Sequence, residues 1–231
     1  MIYVLADIHG RSDRFNDILD QVKLTDEDTL YILGDVIDRN PDGIDLLRRI
    51  MQMKNYQMLL GNHEHMMMDV IRHPGVFSKL RRWYSNGGEI THEKLMELPE
   101  LERKKIYTYI ENLPLNIEIT VNGVDYVLVH GIPESSVETL DRWMYDDMKQ
   151  VVVWERIDEH TTLPENKTTI FGHTPTEYYQ DGKTILFVGE YRYGKRWNGI
   201  GKEYYENGKL KFEGEYYKGE RLNGKGKEFD K

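Results

Sequence analysis

Aspartate, asparagine and histidine gather in short clusters along this chain: Asp7-x-His9, Gly34-Asp35-x-x-Asp38-Arg39, Gly61-Asn62-His63-Glu64, then His130 and His173. Side chains two apart in extended backbone project the same way, so Asp7 and His9 can face one ion. Taken singly, each cluster has a plainer use. An isolated Asp-x-His pair more often caps or hydrogen-bonds than binds an ion, Asp35 can N-cap a following helix, and Asp38 with Arg39 can form a weak surface ion pair. A single histidine such as His130 or His173 is ordinarily a satisfied core residue. The Asn62-His63 pair is harder to dismiss, because an amide oxygen beside an imidazole has no evident packing purpose there. Together the clusters point to a site. Their donors are carboxylate, amide and imidazole, and the chain has no cysteine. That donor set suits Mn, Fe or Zn at intermediate hardness.

The positions of the clusters imply the elements that hold them. Apolar segments long enough for buried strands run directly into each: Ile2 to Ala6 before Asp7, Thr29 to Leu33 before Gly34, Tyr56 to Leu60 before Gly61, Val124 to Val129 before His130, and Thr168 to Phe171 before Gly172-His173. Between the first three lie helix-like stretches. Ser12 can cap one carrying Phe15, Ile18, Leu19 and Val22, and Pro41 can open one carrying Ile44, Leu47, Ile50 and Met51. Alternating strands and helices predict a largely parallel sheet, with ligands at the carboxyl ends of the strands. From His73 to Leu115 the pattern becomes helical and charged, broken at Asn86-Gly87-Gly88 and Pro99, which reads either as a lip beside the site or as a plain surface excursion.

A chain of 231 residues can bury one catalytic core and carry a small appendage. With 39% hydrophobic and 31% charged residues it is expected to fold without a membrane span, and no apolar run approaches the roughly 20 residues a transmembrane helix needs. The N-terminus shows no basic region or cleavage signal, and the lack of cysteine is compatible with a reducing cytoplasm, the expected location. The formal charge of −9 divides unevenly: Phe187 to Lys231 holds 11 basic and 8 acidic residues, leaving 20 basic and 32 acidic before it. An acidic body is a poor surface for nucleic acid, which is therefore not an expected partner.

The tail repeats itself. Phe187, Gly189, Glu190, Tyr191, Gly194, Asn198, Gly199, Gly201, Lys202 and Glu203 recur as the same residue types 25 positions later, from Phe212 to Glu228. Aromatic and glycine positions alternate, and Asn207-Gly208 and Asn223-Gly224 read as hairpin turns of a β-meander. A fragment from Glu177 to Lys183 echoes Glu203 to Lys209.

Asp7-Ile8-His9-Gly10, Gly34-Asp35-Val36-Ile37-Asp38-Arg39, Gly61-Asn62-His63-Glu64, Val129-His130-Gly131 and Gly172-His173-Thr174-Pro175 resemble, in order, the motifs of calcineurin-like metallophosphoesterases, and most of all the bacterial serine/threonine phosphoprotein phosphatase branch. Trp83, Gly87-Gly88 and Thr91 are similar to a Trp, Gly-Gly, Thr stretch of that branch, and Trp154-Glu155-Arg156 to its Trp-x-Arg. The chain departs from that pattern at Asn40, where glycine is usual, and at Ile132, where a small residue is usual. After His173 the repeats follow almost at once, so either Ile185 to Tyr191 doubles as a closing strand or the catalytic domain is abbreviated.

The resemblance implies an α/β fold: a four-layer metallophosphoesterase-like sandwich, α+β, with helices flanking the sheets, over residues 1–176. It implies two divalent ions per chain, manganese foremost with iron or zinc as options. Asp7, His9 and Asp35 would hold one ion and Asp35, Asn62, His130 and His173 the other, with Asp35 bridging. Such a pair lowers the pKa of a shared water and neutralises phosphoryl oxygens, so hydroxide attacks phosphorus in line. His63, oriented by Asp38, would protonate the leaving oxygen, and Arg39 and Arg156 would grip the phosphate. Glu64 reads as a support for the ligands. The expected substrates are phosphorylated proteins or small phosphoesters, with a symmetrical dinucleoside polyphosphate as the alternative. A binding protein on an inactive scaffold would have lost ligands, and none is lost. Residues 177–231 are similar to MORN-type repeats, which implies a small C-terminal all-β appendage that contacts a protein or membrane surface or simply adds stability.

Overall fold

A computed structural model of the chain describes residues 1–139, 148–157, 161–174, 187–192, 195–204, 210–218 and 220–225. The chain forms two compact units, one of Met1–Ile157 with Thr161–Thr174 and one containing the strands that follow.

In the first unit, β1 (Ile2–Leu5), β2 (Thr29–Ile32) and β3 (Tyr56–Met58) make a parallel sheet in that order. A second sheet holds β4 (Asn116–Val121), β5 (Val124–Val129) and β6 (Thr168–Phe171), with β4 antiparallel to β5 and β5 parallel to β6. Two sheets, one parallel and one mixed, thus replace the one largely parallel sheet expected from strand and helix alternation. The cause is local. Asn122 and Gly123 both have positive φ, 52° and 78°, the requirement for a tight two-residue hairpin that sends β5 back along β4. β4 is a strand not anticipated above, in which Ile117, Ile119 and Val121 alternate with polar residues.

Side-chain alternation builds the layers. Leu30 and Ile32 of β2 point into a core shared with Phe15, Ile44, Leu47 and Ile50, whereas Tyr31 and Leu33 point the other way, against Leu59, Leu128 and Ile170 of the facing sheet. The helices over the first sheet are α1 (Ser12–Val22) and α2 (Gly43–Ile50). Ser12 does not cap α1: it is the first helical residue, and its hydroxyl bonds Asp42 instead. On the far face of the second sheet Ile132, Val137, Val151, Val152 and Ile157 form a smaller core with Phe171, contributed by a 3₁₀ turn at Glu134–Thr139 and α7 (Met148–Trp154).

Helices α3 (Asn62–Arg72), α4 (Phe77–Ser85), α5 (Glu89–Glu97) and α6 (Glu100–Glu111) complete the unit. Trp83, Leu95, Ile106 and Ile110 from the last three join the main core. The segment from His73 to Leu115 is therefore not a plain surface excursion. Among the described residues no helix is long and apolar enough to cross a membrane.

The second unit contains an antiparallel sheet in the order β10-β9-β8-β7, from β7 (Phe187–Arg192), β8 (Lys195–Tyr204), β9 (Leu210–Tyr217) and β10 (Glu220–Lys225). Phe187 to Tyr191 is an edge of this sheet, paired with β8. Asn223-Gly224 is no turn: it lies inside β10 opposite Glu215 and Gly214, beside a register shift. Its repeat-mate Asn198-Gly199 pairs with Glu190 and Gly189 in the same way, so the motif marks a bulge with facing glycines. Asn207-Gly208 and the fragment Glu177 to Lys183 lie outside the described residues.

Candidate active site

The loops leaving the strands of both sheets carry the clustered residues, and their backbones are unusual. Asp7, His9, Asp35, Asp38, Arg39 and His173 all have positive φ, between 47° and 72°. That region disfavours side chains, though aspartate and histidine tolerate it better than most. Cross-loop hydrogen bonds fix it: the His9 amide donates to the Asp35 carbonyl at 2.9 Å, the Gly10 amide to Val36 at 2.7 Å and the Gly172 amide to His130 at 3.1 Å. Two glycines are needed for this closeness. A Cβ on Gly34 would stand 2.6 Å from the Gly61 Cα, and one on Gly172 would stand 2.6 Å from an Asp7 carboxylate oxygen.

Donor atoms converge in two groups that share Asp35: His9, Asp35 and His63, and Asp35, His130 and His173, each within 4.8 Å of one another. Asp35 Oδ2 lies 3.7 Å from His9 Nε2, while Oδ1 lies 3.4 Å from His130 Nε2. The two oxygens of one carboxylate thus face different histidines. Asn62 Oδ1 is 2.9 Å from His130 Nε2. Backbone carbonyls set the tautomers. Ile37 takes the Nδ1 hydrogen of His9 at 3.1 Å and Leu33 that of His130 at 2.6 Å, leaving Nε2 lone pairs inward; Trp154 takes the Nε2 hydrogen of His173 at 3.1 Å, leaving Nδ1. Asp7 stands at the exposed margin, its carboxylate accepting the His173 amide at 3.0 Å.

Electrostatics in this cluster suit cations. Burial pushes His9 down to about 3, aided by neighbouring His63, pushes His130 down to about 3 through burial and then His173, and pushes His173 down to about 4 through burial and then Arg156. Neutral imidazoles are the ligand form. Burial first, then Glu64 and Asp7, raises Asp35 well above the usual carboxylate range, and desolvation against the neighbouring loops raises Asp7 despite its open edge. Buried like charges at such spacing are unfavourable unless something positive compensates them. Ligands about 2.1 Å from a first-row ion at right angles lie about 3 Å apart, close to the spacings seen here. The residues fit a pair of divalent ions.

Glu64 is fully buried and is not aimed at the donors. Its carboxylate accepts the amides of Asp35 at 2.9 Å, Val36 at 2.8 Å and Ile37 at 3.2 Å, and so holds the loop that presents Asp35. Asn40 likewise ties the loops, its amide donating to the His9 carbonyl at 2.7 Å. Replacing Glu64 with Gln puts an amide NH₂ against backbone donors, and the melting transition should fall by the equivalent of about 1–3 kcal/mol, the usual penalty for unpaired buried groups. An unchanged melting curve would show that the loop holds itself.

Beside this cluster His63 Nδ1 meets Asp38 Oδ2 at 2.6 Å, and its Nε2 faces the Arg39 guanidinium at 3.2 Å. Arg39 and Arg156 are both exposed, and Arg156 is close enough to depress His173. Trp83, Gly87 and Thr91 also reach this corner. Trp83 Nε1 donates to Asp38 Oδ2 at 2.9 Å, the Asp38 amide donates to Thr91 Oγ1 at 2.9 Å, and the Arg39 amide donates to the Gly87 carbonyl at 3.0 Å. The Asn-Gly-Gly break between helices was the available signal.

The calcineurin-like phosphoesterase family matches residues 1–209, and the chain belongs to that family. It is thus a hydrolase of phosphoesters. It is 30% identical to serine/threonine-protein phosphatase 2 of Salmonella typhimurium over 77% of this chain and 81% of that protein. A symmetrical bis(5'-nucleosyl)-tetraphosphatase of Salmonella newport is 39% identical over 64 residues, 27% of this chain and 23% of that one. The fold is that of a provisionally assigned diadenosine tetraphosphatase of known structure, at 18% identity and a TM-score of 0.50 over 94% of this chain and 93% of that one.

Proposed function

We propose that this chain is a serine/threonine-type protein phosphatase, and the observation that carries the reading is the Asp38–His63–Arg39 arrangement beside donor groups that share Asp35. When bound, two divalent ions, of which manganese is our choice, would activate a water and neutralise phosphoryl oxygens. Asp7, His9 and Asp35 would hold one, and Asp35, Asn62, His130 and His173 the other. The divergent oxygens of Asp35 support its bridging role.

His63 carries the proton for the leaving oxygen. Asp38 takes its Nδ1 hydrogen and orients the ring, so Nε2, which here accepts from the Arg39 guanidinium, is the atom left to carry the working proton. His63 Nε2 is also 3.8 Å from Asp35 Oδ2, within reach of a shared ion. The guanidinium facing Nε2 argues against a cation there and for an anion: Arg39 binds a phosphate oxygen next to the acid, and Arg156 grips from the His173 side. Sequence similarity to serine/threonine-protein phosphatase 2 runs through most of the chain, whereas sequence similarity to the symmetrical tetraphosphatase spans 64 residues, which supports a phosphoprotein substrate over a dinucleoside polyphosphate. The tail we take as MORN-like repeats forming a β-appendage from residue 177 onward, supported by the 25-residue recurrence, with protein or membrane contact as its role.

Chelator-stripped protein should be inactive on a phosphopeptide and melt at lower temperature, with Mn²⁺ restoring both, since an ion bound at 1,000 times its Kd stabilises by about 4 kcal/mol. Turnover in excess chelator without retained metal would sink the two-ion reading. Faster hydrolysis of a dinucleoside tetraphosphate than of the phosphopeptide would move the assignment to that substrate class.

A further inference from the structure

We infer that Trp83 is a positioning residue for the acid, acting through Asp38. The inference rests on the reading of His63 as the proton donor. Asp38 is completely buried and presents one oxygen, Oδ2, to two donors, His63 Nδ1 at 2.6 Å and Trp83 Nε1 at 2.9 Å. Its other oxygen has no hydrogen-bond partner among the described residues. The carboxylate could turn about its own axis if His63 alone held it. The indole hydrogen removes that freedom, and Thr91, taking the Asp38 amide at 2.9 Å, fixes the backbone from which the carboxylate hangs.

The indole itself is held firmly. Trp83 is fully buried, His92 lies against it with ring centroids 5.3 Å apart, and Tyr84 bonds His92 Nδ1 at 2.7 Å. A Cβ on Gly88 would collide with the indole nitrogen, so glycine at that position is what lets the ring reach Asp38. Plain core packing accounts for the burial of Trp83. It does not account for an indole N–H aimed at the single oxygen that orients His63. Helices α4 and α5 thereby connect to the chemistry through one hydrogen bond from Trp83 and one from the Asp38 amide.

The leaving group supplies the test. A poor leaving group such as phenoxide needs a well-aimed acid, and a good one such as 2,4-dinitrophenoxide does not. In the full-length, Mn²⁺-loaded protein, Trp83→Phe should lower kcat on phenyl phosphate by about tenfold, a fraction of the 10² or more that a general acid supplies, and by less than about threefold on 2,4-dinitrophenyl phosphate. KM and metal content should stay near those of the parent. Thr91→Val, which leaves the indole in place, should show the same selectivity with a smaller loss and covers the case in which Trp83→Phe does not fold. Adding Trp83→Phe to His63→Asn should cause no further selective loss. An equal fall on both substrates in Trp83→Phe, with a selective fall in His63→Asn, overturns the role of Trp83 alone. No selectivity in His63→Asn overturns the reading of His63, and the inference with it.

Discussion

Asp35→Asn should reduce bound metal from about two ions per chain to well below one and cut turnover on the order of 10³-fold or more, because both ions of a two-metal clamp act on the same phosphoryl group. The structural reason is that Asp35 Oδ2 faces His9 and Oδ1 faces His130. The amide of Asn can still accept the His63 backbone hydrogen now bonded to Oδ1 at 3.0 Å, so the fold should survive. Stability should even move the other way in metal-free protein. Burial raises the Asp35 pKa well above its ordinary value. A carboxyl with a raised folded pKa destabilises the fold once pH exceeds its unfolded pKa, and the penalty grows until pH passes the folded pKa. Removing the charge relieves it. Elemental analysis and melting curves with and without chelator decide the matter; two ions retained in Asp35→Asn would remove Asp35 from the bridge.

His63→Asn should lower turnover by roughly 10²-fold or more on substrates with poor leaving groups, the range typical of general-acid help. Metal content should remain near two per chain, which separates this variant from Asp35→Asn. The distinction matters because His63 belongs to one of the converging donor groups and its Nε2 lies 3.8 Å from Asp35. Loss of an ion in His63→Asn would make His63 a ligand and leave the proton donor to be found elsewhere.

The strands that end in the candidate ligand residues were legible from the sequence because each buried run stops abruptly at a glycine or a polar cluster. Val124 to Val129 and Thr168 to Phe171 were read with the bounds the structure gives. How the strands associate was not legible. Whether β5 adds to the first sheet or opens a second depends on β4, and β4 has only three apolar residues on one face, beside a helix rich in similar side chains. Glycines in the tail were misread for a related reason. Asn-Gly signals a tight turn when it stands between strands, but Gly224 opposite Gly214 serves close backbone approach within one. At the site, residue types showed what could bind, while the supports were hidden. Trp83 and Thr91 are far from Asp38 in sequence, and Glu64 discloses its role only when three amides of another loop are seen to converge on it. No periodicity encodes such contacts.

The left-handed backbone of Asp7, His9, Asp35, Asp38, Arg39 and His173 has an evolutionary consequence. Glycine would sit in each of those conformations with less strain, so selection for thermostability alone would favour erasing the side chains that do the chemistry. Loaded with cations, Asp7, His9, Asp35 and His173 would become contributors to stability, because the ions would bind only the folded arrangement. Cation binding would therefore set the sign of the stability change that a glycine substitution brings at these four positions.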